Sequence, residues 1–144
     1  MTQRRHAREC AMQVLYRLDI GNEGITKTTS EISTEQQFSK QGAEFFQRLV
    51  DTAFNNLGEV DKTIENTLQH WSFSRLMGID RAILRIACCE LLFLTDVPPK
   101  VVINEALEIA KKYGTDESPR FINGVLDAIY KMKSSKETVE KTQP

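Results

Sequence analysis

Apolar residues recur at intervals of three and four along the whole 144-residue chain, and no stretch alternates long enough to make a half-buried strand. That spacing limits the chain to an all-α fold, read as a bundle of about six to seven helices. The stretch 79–94 constrains it most. Ala82, Ile83, Ile86, Ala87, Cys88, Cys89, Leu91, Leu92, Phe93 and Leu94 leave it apolar on nearly every side, as a helix enclosed by other helices requires. Pro98 and Pro99 stop this central helix and start the next, since proline cannot continue a helix but suits its first turn.

A first helix carries Ala7, Cys10, Ala11, Val14, Leu15 and Leu18 on one face and stops at Gly21. A second carries Phe46, Leu49, Val50, Ala53, Phe54 and Leu57, and a third Val60, Ile64, Leu68 and Trp71, with Gly58 separating or bending them. After the prolines, Ile103, Ala106, Leu107 and Ala110 mark a helix ending at Tyr113, with Gly114 placed for a left-handed C′ position. Ser118 as N-cap and Pro119 at N1 open the last helix, whose apolar side is Phe121, Ile122, Val125, Leu126 and Ile129. Gly124 costs that helix roughly 1 kcal/mol relative to alanine, which predicts a close approach of another backbone there. Residues 22–35, dominated by Thr, Ser, Glu and Gly, read as a long mobile loop, and 133–144 as a polar, frayed or disordered tail behind a 1–132 domain.

Hydrophobic residues make up 40% and charged residues 27%, the balance of an ordinary globule. The net charge of −1, from 19 basic and 20 acidic residues, means that any attraction for nucleic acid must come from a local patch. The start MTQRRHAREC has no unbroken apolar core of the kind that a signal peptide or membrane span needs, so a cytoplasmic protein without membrane contact is expected. Cys10, Cys88 and Cys89 lack CxxC spacing and read as buried thiols. His6 and His70 lack metal-ligand neighbours, and the dispersed glycines form no phosphate loop. No nucleophile with a base, carboxylate pair or metal cluster shows itself, so the chain reads as a binding protein and not an enzyme, with no cofactor.

Arg4, Arg5 and Arg8 concentrate three fixed positive charges, with His6 among them, where they oppose a helix dipole. An RNA backbone would explain them, because guanidinium forks suit phosphate oxygens; an idle solvated face explains them equally well. Arg120 and Phe121, close after Lys111 and Lys112, could stack an unpaired base, although Phe121 reads first as core. Tyr16 fits the rim of the core or a protein interface, and Asp80 is accounted for by N-terminal capping and the dipole of the central helix.

Several segments in order carry a resemblance. RRHARECAMQVLY is similar to the arginine-rich N-terminal motif of the NusB family, IDRAILRIACCEL resembles its central helix, and DVPPKVVINEALEIAKKYG with RFINGVLD resembles its C-terminal signature. Nothing in 21–45 matches. The resemblance implies a helical bundle in two subdomains that binds boxA RNA of ribosomal RNA transcripts. It further implies help from NusE, a small-subunit ribosomal protein, and a complex with NusA, NusG and RNA polymerase that suppresses termination. Arg4, Arg5 and Arg8 fall on the family's RNA-contacting motif, Arg120 and Phe121 on its second RNA-facing segment, and Tyr16 and Asp80 on its NusE-facing surface. His6 stands where arginine is common, which makes the patch partly pH-dependent. Two other readings stay open: a protein-interaction scaffold without useful RNA affinity, and the RNA-binding domain of an rRNA cytosine methyltransferase.

Overall fold

The computed structural model describes residues 3–21, 24–69 and 72–142, with side chains as far as Lys136. Its helices are α1 (Gln3–Ile20), α2 (Ile25–Glu35), α3 (Lys40–Asn55), α4 (Leu57–Thr67), α5 (Gly78–Phe93), α6 (Pro99–Tyr113) and α7 (Ser118–Thr142), with a 3-10 turn at Phe73–Arg75. No strand occurs among the described residues, as the spacing predicts.

The helix with apolar residues on all sides takes the centre. From Ala82 to Leu91 every residue of α5 is buried, and the helix packs against α1 and α3 on one side and α4, α6 and α7 on the other. Two helical subdomains thus share one wall. The three cysteines lie in this core, and burial pushes the Cys10 thiol up to about 11 and those of Cys88 and Cys89 to about 12, leaving them inert at neutral pH.

Several local expectations are corrected. Residues 25–35 form α2, not a loop: Thr28, Thr29 and Ile32 are buried and, with half-buried Ile25, follow helical spacing. The threonine methyls serve as apolar surface, and docking on α1 outweighs weak intrinsic propensity. The break between α3 and α4 falls at Asn56, which caps both helices and bonds through its side chain to the Thr52 carbonyl (2.8 Å), so Gly58 lies inside α4. Phe54 is 45% exposed instead of core. α4 ends before Leu68, and Trp71, like His70, lies outside the described residues.

Gly114 does not adopt a left-handed conformation (φ −91°). It is needed for contact instead, because a Cβ there would meet the Ser118 hydroxyl at 2.5 Å. Ser118 is the first residue of α7, and its hydroxyl accepts from the Thr115 N–H (3.0 Å) in place of an N-cap bond. Around Gly124 nothing among the described residues lies within 4 Å of the point where a Cβ would stand, so none of their backbone approaches it. Where a tail was expected from Lys133, α7 continues to Thr142, and Lys133 donates to the Leu91 carbonyl (2.6 Å).

Candidate nucleic-acid interface

The first two turns of α1 sort their charged residues by helical spacing. Arg4 and Arg8, four apart, share the face over α3, while Arg5 and Glu9 share the face over α6. Arg8 is interior. It is 3% exposed, and its Nε and Nη2 donate to both oxygens of Glu90 (2.8–3.1 Å), itself 1% exposed. Burial pushes the Glu90 carboxyl up, and the bonds from Arg8 oppose that shift. Phosphate could reach Arg8 only by stranding Glu90 in the core, so Arg8 braces the patch from beneath instead of presenting its fork to solvent.

Arg5 is one-third exposed and forms a two-bond pair with Glu105 of α6 (2.5 and 3.1 Å), holding that carboxyl below the usual carboxylate range. Lys112 of α6 reaches back to buried Glu9 (3.2 Å). Arg4 differs from its neighbours. It is exposed, has no carboxylate partner among the described residues, and sits over the Phe45 ring with its guanidinium carbon 4.5 Å from the ring centre. The ring contact restrains the guanidinium, which without a carboxylate partner keeps its donors for an anion. His6 is half-buried, with its ring 5.2 Å from that of Phe38.

The second cluster sits at the start of α7, which the Gly114–Ser118 contact turns back from the end of α6. Arg120 is exposed, and Phe121 is half-buried against the core. With Leu68, Gln69 and Gly124 they line a shallow hollow of about 440 Å³. Because Gly124 adds no side chain, the α7 face beside Phe121 stays open.

Tyr16, roughly 18 Å along α1 from Arg4, faces the first turn of α5, the turn that also carries Asp80. The Tyr16 ring lies on Gly78, where a Cβ would sit 2.8 Å from the ring edge, so glycine is required there. Asp80 does not cap α5, whose N-cap is Met77. It is buried, and its Oδ1 lacks a hydrogen-bond partner among the described residues. Met77 (48% exposed) and Ile20 (65% exposed) flank this corner.

The sequence reading missed the acidic side of these clusters. Glu90, Arg81 and Arg85 interrupt an otherwise apolar helix, and charged residues on an enclosed helix must find partners. Arg85 bonds Asp61 (2.8 Å) and Asp19 (3.1 Å), and Arg81 bonds Asp19 (2.6 Å), which locks α1, α4 and α5 together. Among the described residues no cluster could hold a metal ion, and no helix is long and apolar enough to cross a membrane.

Comparison with known proteins adds an independent line. The model of the NusB family matches residues 5–131. The transcription antitermination protein NusB of Nitratiruptor sp. is 45% identical over 131 residues, covering 91% of this chain and 94% of that protein. The protein of the same name from Chloroherpeton thalassium is 40% identical over 140 residues, or 96% of this chain, which spans 66% of that longer relative. Among solved structures, antitermination factors NusB and NusE in complex with dsRNA superpose with a TM-score of 0.84, at 36% identity, covering 92% of this chain and 98% of that one.

Proposed function

The chain belongs to the NusB family, and from that premise we propose that it is a transcription antitermination factor that binds boxA RNA of ribosomal RNA transcripts together with NusE. It acts in the cytoplasm as a binding protein and not an enzyme, within a complex that contains NusA, NusG and RNA polymerase. Residues 1–132 carry this activity.

The observation that carries the reading is the guanidinium of Arg4, set over Phe45 and without a carboxylate partner among the described residues, beside arginines already tied to carboxylates. A planar, carboxylate-free fork at the surface suits a phosphate oxygen, and a base can lie on its outer face. Arg5 and Arg120 add phosphate contacts, Phe121 offers an edge for stacking, and Arg8 acts through its hold on Glu90. NusE takes the Tyr16 and Asp80 corner, where the unpartnered Oδ1 needs a donor and Ile20 and Met77 supply apolar surface.

The test is binding of labelled single-stranded boxA RNA, a scrambled RNA and the boxA duplex, with and without NusE. Preference for single-stranded boxA that increases with NusE and falls in Arg4→Ala and Arg120→Ala is expected. NusE binding without RNA preference would replace this reading with the scaffold.

A further inference from the structure

Next to Arg4, on the side away from Glu105, the N-terminal ends of α1 and α3 enclose a partly open cavity of about 460 Å³ lined by Gln3, Arg4, Gln41, Glu44, Phe45 and Arg48. Its size is within the roughly 300–1,000 Å³ of small-ligand sites. Resting on the RNA-binding reading above, we propose that this cavity takes one nucleotide of the bound RNA, its phosphate between Arg4 and Arg48 and the amino edge of its base on Glu44.

The two arginines can both release a donor to a phosphate. Arg4 has no carboxylate partner among the described residues. Arg48 is paired with Asp96 (2.8 and 3.3 Å), but this pair is open to solvent on both sides, at 44% and 54% exposure. Exposed ion pairs contribute little, so a phosphate can replace Asp96 at small cost, which the buried Arg8–Glu90 pair forbids. Arg4 also helps to hold the Asp96 carboxyl below its ordinary range, which places its charge near the Arg48 pair.

The remaining lining residues suit a base. Ser39 donates to the Gln3 carbonyl oxygen, leaving the Gln3 amino group for the cavity, and Gly42 makes room for that side chain, since a Cβ there would lie 3.1 Å from Gln3 Oε1. Glu44 is exposed at the rim. A carboxylate accepts from the exocyclic amino groups of adenine, cytosine and guanine but faces only carbonyl oxygens and one ring N–H on uracil. The cavity therefore selects an amino-bearing base.

The experiment measures anisotropy of labelled boxA RNA against salt for wild type, Arg48→Gln, Asp96→Asn, Glu44→Gln and, as a remote control, Lys27→Gln, with helix content checked by circular dichroism. Arg48→Gln is expected to weaken binding about fivefold and to flatten the salt slope by about 0.7, the loss of one single-strand phosphate. Asp96→Asn strengthens binding, and Lys27→Gln leaves it unchanged. In RNAs with each A, C or G replaced singly by U, one position weakens wild-type binding and ceases to do so in Glu44→Gln. A folded Arg48→Gln with wild-type affinity and slope overturns the phosphate site, and equal U-scans for wild type and Glu44→Gln overturn the base site. No boxA preference in wild type overturns the RNA reading and this cavity's role with it.

Discussion

The starts of α1 and α7 both carry arginine beside an aromatic ring, yet their charges are anchored differently. At α1, Arg8 is sealed against Glu90 and Arg5 is clasped by Glu105, while Arg4 has no carboxylate partner among the described residues. At α7, Arg120 stands exposed beside half-buried Phe121 and open Gly124. The first region joins three helices while it offers a charge; the second offers its charge from a surface already built. Loss of binding in an α1 variant therefore needs a folding control that an α7 variant does not.

The largest expected effect comes from the sealed pair. Arg8→Ala should cost about 3–5 kcal/mol by leaving Glu90 buried and unpaired, roughly a 10–17 °C fall in Tm for a chain of this size. Arg8→Met with Glu90→Leu should recover most of it, and a single variant that melts like wild type would erase the contrast between the regions. Next is Arg4→Ala. About a tenfold loss of boxA affinity is expected from one charged hydrogen-bonding partner, with less than about 1 kcal/mol of stability lost with the ring contact, by calorimetry.

Gly124→Ala sharpens the other side. On an open helix face it should stabilise by about 0.5–1 kcal/mol while weakening boxA binding; a variant that is more stable and binds equally well would assign the hollow no part in RNA binding. The smallest effect is in acid. Arg5 lowers the Glu105 carboxyl, so this pair's contribution is complete above the unfolded value, about 4.3, and is lost as pH falls through the lower folded value. Glu90, raised by burial, contributes in the opposite sense, losing stability as pH rises. The difference in acid unfolding between wild type and Glu105→Gln isolates the first contribution, and identical curves would deny it.

The sequence revealed what local spacing encodes. Unbroken apolarity identified α5, the proline pair placed the start of α6 at Pro99, and isolated cysteines read correctly as core. What it concealed depends on distant partners. Arg8 read as one more surface charge because Glu90 lies 82 positions away, although a carboxylate within an enclosed helix was the available signal. α2 was obscured because its buried face uses threonine, a residue that equally suits loops. Gly114 was assigned to conformational freedom and proves to serve close approach, whereas Gly124, assigned to close approach, has no such neighbour among the described residues, a distinction that only a neighbour's position decides.

The shared wall at α5 also sets an order of events during synthesis. Helices α1 and α3 bury their inner faces against a helix that begins at Gly78 and ends at Phe93, so they cannot complete their core while the ribosome is still translating α4. Once α5 emerges, its second face stays uncovered until α6 and α7 follow. Chains halted between these points expose a long apolar surface, the form most prone to aggregate or to engage a chaperone.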